Sequence, residues 1–272
     1  MVIPEIDLGK GIKIPQIGLG LWLNKDETQC KESVKFALDG GYRHFDTAQI
    51  YKNEQFLGSA LRASGINRKE LFITTKIWND NQFWDDIEPS LDESLSKLQT
   101  DYVDLLLLHF PVTETRRPAW RKMEDILTGG KVKSIGVSNY TVKHLEELLK
   151  ESTVKPAVNQ VELHVYLQQP ELVEFCKQKG IALEAYSPLA HGENLGNAEL
   201  QKIAQEHNKS VPQIMLRWCI EQGFIILPKS VHKERIQENI DVFDFALDKQ
   251  DMSIITSLNT NLRTCWDPTH VS

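Results

Sequence analysis

The 272 residues contain no Gly-x-Gly-x-x-Gly. The glycine-rich turn that seats a pyrophosphate on a helix N-terminus in doubly wound dinucleotide folds is therefore missing. Gly18 and Gly20 are too few for it and sit inside an apolar run that reads as a strand. The eight histidines show no His-x-His or His-Glu-x-x-His spacing, so the common metal-hydrolase signatures are excluded. Cysteine is scarce. Cys30, Cys176, Cys219 and Cys265 are widely spaced without a Cys-x-x-Cys, as expected of reduced thiols in a reducing compartment. The first three read as small core residues. No apolar run approaches the ~20 residues of a membrane helix. Residues 1–10 lack the basic, apolar and cleavage-site order of a secretory leader. Positive charge is in deficit, with 31 Lys and Arg against 38 Asp and Glu. A net charge of −7 argues against nonspecific binding to nucleic acid or a membrane surface. The expectation is a cytoplasmic protein with neither nucleic-acid nor membrane partners. Repeats, linkers and low-complexity stretches are absent too, so residues 1–272 read as a single domain.

What is present is regular alternation. Hydrophobic residues make up 41% of the chain, enough for a large core. Two short runs flanking Gly9, Lys10 and Gly11 signal a hairpin. Strand-like runs follow at residues 17–21, 44–45, 72–75, 103–108, 134–137, 157–162, 181–186 and 224–227. Helical stripes lie between most of them. Cys30, Val34, Ala37 and Leu38 recur at i, i+4, i+7, i+8, and Ile87, Leu91, Leu95 and Leu98 make another stripe. Pro170 opens and Gly180 closes one helix. Ser210 and Gln213 have capping-box spacing ahead of the next, and Asp248 caps the last. Residues 233–241 form a short helix and residues 259–272 an irregular tail. Eight strands almost all separated by helices are the sequence form of an α/β (β/α)8 TIM barrel, with extra helices near the C-terminus.

Three successive strand runs end in chemistry. Residues 44–45 run into Asp46, with Tyr51 beyond a four-residue loop; residues 72–75 run into Lys76; residues 104–108 run into His109. In a parallel barrel those ends share one face, where such barrels place their active sites. Taken singly, an Asp before a helix is usually a cap and a Tyr at a strand end is usually packing. Together, at consecutive strand ends, they read as a catalytic group.

Seven pieces, in order along nearly the whole chain, resemble the aldo-keto reductase family. They are Gly41-Tyr-Arg with Asp46-Thr-Ala-Gln-Ile-Tyr51-Lys-Asn-Glu54, Thr75-Lys76-Ile-Trp78, Asp101-Tyr-Val-Asp104 with His109, Gly136-Val-Ser-Asn139, Asn159-Gln160-Val-Glu162, Tyr186-Ser-Pro188 and Pro228-Lys-Ser230. The chain looks most similar to short bacterial members that reduce diketogluconates and small aldehydes. The resemblance implies that the N-terminal hairpin closes the barrel bottom. It implies reduction of aldehydes or ketones by hydride from NADPH, with Tyr51 as general acid. Lys76 then lowers the tyrosine pKa, Asp46 fixes and charges Lys76, and His109 orients the carbonyl.

It further implies that NADPH lies across the barrel mouth. Ser138, Asn139 and Gln160 meet the nicotinamide carboxamide, and Tyr186 stacks on its ring. Trp22 borders both cofactor and substrate. Ser187 and Leu189 continue toward the pyrophosphate. Lys229, Ser230 and Arg235 hold a 2′-phosphate, while Glu238 and Asn239 meet the adenine. Trp22, Trp78, Asn79, His109, Phe110, Trp120 and Trp266 line the substrate pocket. Two positions depart from the pattern. His232 stands where close relatives often have Arg, and Phe110 where a Trp is common. Small aldehydes, α-dicarbonyls and keto-sugar acids are the implied substrates, and a monomer the implied state. The alternative is a regulatory protein on the same barrel that binds cofactor with little turnover.

Overall fold

A computed structural model describes residues 2–272; Met1, the first residue of the expected domain range and of the stretch read for a leader, lies outside them. Two antiparallel strands come first, β1 (Glu5–Gly9) and β2 (Ile12–Pro15). Eight parallel strands follow in chain order: β3 (Leu19–Gly20), β4 (His44–Asp46), β5 (Phe72–Ile77), β6 (Val103–Leu108), β7 (Val132–Ser138), β8 (Val158–Glu162), β9 (Ala182–Tyr186) and β10 (Ile225–Leu227). The helices are α1 (Glu27–Asp39), α2 (Glu54–Ala63), α3 (Trp84–Leu98), α4 (Arg116–Leu127), α5 (Val142–Glu151), α6 (Pro170–Lys179), α7 (Ala198–His207), α8 (Val211–Glu221), α9 (Lys233–Ile240) and α10 (Lys249–Ser257).

The sheet closes on itself through a short seam. Ile17 bridges Ile226, the Gly18 amide donates to the Ile226 carbonyl at 2.9 Å, and the Gly20 amide reaches the Pro228 carbonyl at 3.1 Å. The first barrel strand is shorter than residues 17–21, because β3 pairs with β4 only through Leu19 and Gly20. Side chains alternate in and out along each strand. On β6, Leu106 and Leu108 pack outward among the helices, while Leu105 and Leu107 point to an inner cluster with Phe72, Val158 and Ile225. Ile14 of the hairpin completes that cluster, and Ile6, Leu8 and Ile12 pack against it, so the hairpin does plug the bottom.

The expected helix signals hold. Ser210 and Gln213 form a reciprocal capping box, Gly180 ends α6 at φ +62°, and Asp248 accepts from the Gln250 and Asp251 amides at 2.7 and 2.9 Å. Helix α7 was not foreseen. Its buried stripe is only Leu200, Ile203 and Ala204, behind an Asn197 cap. Among the described residues no helix is long and apolar enough to cross a membrane.

Candidate active site

The loop after β4 is held by its own polar side chains. Asn53 donates to the Leu21 and Asn24 carbonyls at 2.9 and 3.0 Å and accepts from the Thr47 hydroxyl at 2.6 Å. Gln49 accepts from the Trp78 amide at 2.8 Å and donates to the Ser90 carbonyl at 3.1 Å. Tyr51 ends the 3-10 turn between them, and Lys52, at φ +57°, turns the chain into α2. The phenol is therefore mounted on a turn pinned to two neighbouring loops.

The expected quartet converges. Lys76, wholly buried, donates from Nζ to Asp46 Oδ1 at 2.5 Å, to the Thr47 carbonyl at 3.0 Å and to the Tyr51 hydroxyl at 3.3 Å. The His109 ring packs edge-on between Tyr51 and Trp78, at centroid distances of 5.7 and 5.2 Å. Gln160 donates from Nε2 to Asp46 Oδ2 at 2.8 Å and to Glu184 Oε2 at 2.7 Å. Burial alone would lower the Lys76 ammonium, but Asp46 and Tyr51 hold it above the usual lysine value. Burial and then the Lys76 charge hold His109 well below the usual imidazole value, so it is a neutral donor or acceptor near pH 7.

Tyr51 corrects the expectation. Its pKa is raised, not lowered, because burial outweighs the Lys76 charge and Asp46 offsets part of that charge. The phenol is therefore fully protonated near neutrality. It remains a far stronger acid than an alcohol, so it can protonate an alkoxide forming beside it. The ammonium then stabilises the phenolate left behind.

Above this group opens a cavity of about 1030 Å³, at the upper end of small-ligand sites. Asp46, Tyr51 and His109 form part of its floor, and Lys76 lies behind them. Trp22, Trp78, Asn79, Phe110 and Trp266 line one part. Ser138, Asn139, Gln160, Tyr186, Ser187, Leu189, Lys229, Ser230, Arg235, Glu238 and Asn239 line the rest. The Tyr186 hydroxyl donates to Asn139 Oδ1 at 2.7 Å, and Asn139 Nδ2 donates to the His109 carbonyl at 3.0 Å, so these groups brace one another. Asn139, Ser187, Ala190 and His191 all take positive φ. Such strain gathers where backbone is shaped for a ligand. Lys229 and Arg235 form no ion pair among the described residues, and burial lowers the Lys229 ammonium. That leaves two cations open to an anion.

Trp120 is misplaced by the sequence reading. It sits inside α4, 2% exposed, with its indole donating to the Val154 carbonyl at 3.1 Å, away from the cavity. Its helical register turns it to α5. Other lining residues went unread. Leu23, Ile50, His191 and Cys265 come from loops, where no periodicity marks a side chain's direction. Ser187 Oγ, His191 Nε2 and Cys265 Sγ lie 3.0 to 3.3 Å apart at the rim. The tail residues reach the mouth because Glu162, at the end of β8, holds them. Its Oε1 accepts from the Thr264 amide and hydroxyl, each at 2.7 Å, and its Oε2 from the Cys265 amide at 3.3 Å. Trp266 then packs on Phe110 at a centroid distance of 3.8 Å.

Known proteins share this arrangement of chain. A glyoxal reductase of Bacillus subtilis is 46% identical over 263 residues, 97% of this chain and 95% of that protein. A crystal structure of an aldo/keto reductase from Brucella melitensis superposes with a TM-score of 0.92 at 46% identity, covering 95% of this chain and all of the other. A Bombyx mori aldo-keto reductase, solved in complex with NADP, superposes with a TM-score of 0.91 at 36% identity over 97% and 95% of the two chains. The sequence model of the Aldo/keto reductase family matches residues 16–260. On fold, on strand-end residues and on these matches along almost its whole length, the chain belongs to the aldo/keto reductase family.

Proposed function

We propose that this chain reduces aldehydes and ketones to alcohols with NADPH, taking small α-dicarbonyls, other small aldehydes and keto-sugar acids. The observation that carries the reading is the Tyr51 hydroxyl 3.3 Å from Lys76 Nζ, itself paired to Asp46 at 2.5 Å, on the floor of a large cavity. When bound, the reduced cofactor would supply a hydride for the carbonyl carbon. Tyr51 gives its proton to the carbonyl oxygen, Lys76 and Asp46 stabilise the resulting phenolate, and solvent restores the proton. Neutral His109 hydrogen-bonds the carbonyl oxygen and turns its carbon toward the donor.

Ser138, Asn139 and Gln160 hold the carboxamide, Tyr186 stacks on the ring, and Ser187 and Leu189 follow the pyrophosphate. Lys229, Ser230 and Arg235 take the 2′-phosphate, with Glu238 and Asn239 at the adenine. The two unpaired cations and the NADP bound by the Bombyx mori relative support the phosphorylated cofactor. The glyoxal reductase relative supports α-dicarbonyls. Trp22, Trp78, Asn79, Phe110 and Trp266 border the substrate. The same reading makes the protein a monomer, and four free cysteines support a reducing, cytoplasmic setting.

The test follows NADPH consumption with glyoxal, methylglyoxal, a nitrobenzaldehyde and a diketogluconate, with NADH in parallel. Turnover that collapses in Tyr51→Phe, and a higher kcat/KM with NADPH than with NADH, supports the proposal. Tight NADPH binding without turnover on any of these carbonyls would favour the regulatory reading.

A further inference from the structure

One layer below Tyr51 the barrel holds a second carboxyl with no cation of its own. Glu184 is wholly buried at the middle of β9. Its Oε2 accepts from Gln160 Nε2, the nitrogen that also serves Asp46. Its Oε1 has no hydrogen-bond partner and lies 3.5 Å from His44 Nε2. The His44 ring is seated there by Gly18, where an added Cβ would fall 2.5 Å from Nδ1.

The charges around Glu184 can be counted strand by strand. β4 brings His44 and Asp46, β5 brings Thr74 and Lys76, and β8 brings Gln160. Glu162, further along β8, is engaged by His164 and Thr264. Asp104 on β6 is held by Arg68, and Lys133 on β7 sits over the Tyr102 ring. Ile225 is the register partner of Glu184 on β10. One ammonium therefore serves two buried carboxyls that share the Gln160 amide. A second uncompensated negative charge there is strongly disfavoured, so Glu184 and His44 together must hold one proton.

We propose that Glu184 is a positioning residue for the reaction. Its proton keeps the buried Asp46, Lys76 and Glu184 group neutral, and losing it weakens Tyr51 as an acid. The kinetic part rests on the reductase reading; the proton inventory does not. Burial, then the Asp46 charge, pushes the Glu184 carboxyl up to about 8, and burial takes His44 down to about 3, so Glu184 is the member that carries the proton. Ionising Glu184 adds a negative charge beside the Asp46–Lys76 pair. The ammonium is then shared by two carboxylates and stabilises the Tyr51 phenolate less, so reduction slows as pH rises.

The experiment compares kcat against pH for the wild type and Glu184→Gln, at saturating NADPH and methylglyoxal. The variant keeps the side chain's shape and its contact with Gln160 but stays neutral. In the wild type kcat falls with a midpoint near 8. In the variant that limb moves to the range where Tyr51 itself ionises, above the ordinary phenol value of about 10. The same limb in both proteins, or a flat wild-type profile across roughly two units around that midpoint, overturns the proposal. A second readout needs neither turnover nor a folded variant. Infrared titration of the unmutated protein, labelled in glutamate with 13C, reads the carboxylic C=O band directly. A glutamic-acid band that disappears with a midpoint near 8 supports the proposal, and no such band overturns it. An enzyme inert toward every carbonyl with that band present would sink the reductase reading and leave the shared proton standing.

Discussion

Replacing Lys76 by Met tests the centre of the proposed mechanism and separates two effects of one side chain. The ammonium lies 3.3 Å from the phenol oxygen. At an effective dielectric of ~20, unit charges at that distance attract by about 5 kcal/mol. Much of this attraction appears only as the phenolate forms, so its loss falls on the transition state. At about 1.4 kcal/mol per decade, kcat should drop by roughly 10³ to 10⁴. The same change strands the Asp46 carboxylate, only 3% exposed, without its partner. Breaking a buried pair in this way costs about 3–5 kcal/mol of stability. Urea unfolding followed by circular dichroism measures the second effect, and NADPH consumption at saturating substrate the first. The double variant Asp46→Asn, Lys76→Met removes the stranded charge, so stability should return in large part while kcat stays low. A double variant that regains turnover along with stability would refute the reasoning, because Lys76 would then be acting only as structural support. So would a single variant within tenfold of the wild-type kcat.

Other outcomes follow from the cavity wall and the frame. Lys229→Gln with Arg235→Gln should raise the KM for NADPH by at least tenfold and leave that for NADH nearly unchanged, since the two charge-assisted contacts proposed for one phosphate would be lost; parallel kinetics with both cofactors check it. Trp266→Ala removes an aromatic contact worth about 0.5–1.5 kcal/mol. It should raise the KM for a nitrobenzaldehyde several-fold with little change for methylglyoxal, as a substrate panel would show. Ser210→Ala, which breaks the capping box of α8, should cost about 1 kcal/mol in urea unfolding without touching kcat. Stability against pH should also carry the mark of Glu184. Its folded-state value is raised, so its contribution is complete below the ordinary carboxyl value and is lost as pH rises through about 8. The wild type should therefore lose Tm relative to Glu184→Gln over that window, by differential scanning calorimetry.

The quartet is legible because Asp46, Lys76 and His109 each end an apolar run, with Tyr51 one short loop beyond Asp46, and a parallel barrel turns such ends to one face. The hairpin was legible from Gly9 and Gly11, and α6 and α8 from their caps. Burial was not. The pKa direction of Tyr51 depends on how much water its turn excludes, which no spacing records, so the effect of Lys76 was overrated. The resemblance places Trp120 in the pocket, whereas the rotation of α4 sets its direction. Glu184 lies in a five-residue strand whose alternation alone does not say which face is inner. Helix α7 is hard to read in the sequence because its three buried apolar residues make a faint stripe. Gln49 and Asn53 were visible as letters of a motif, but their work as struts depends on loops distant in sequence.

The Glu162 tether has a consequence for how this protein can change. One carboxylate grips the backbone at Thr264 and Cys265, so the grip does not depend on which side chains come after it. Trp266 is a replaceable nozzle on a fixed coupling, because the tail is pinned again beyond it, where Arg116 and His144 hold the Ser272 and Val271 carbonyls. Swapping that short tip should retune which molecules are accepted while the machinery beneath keeps its shape.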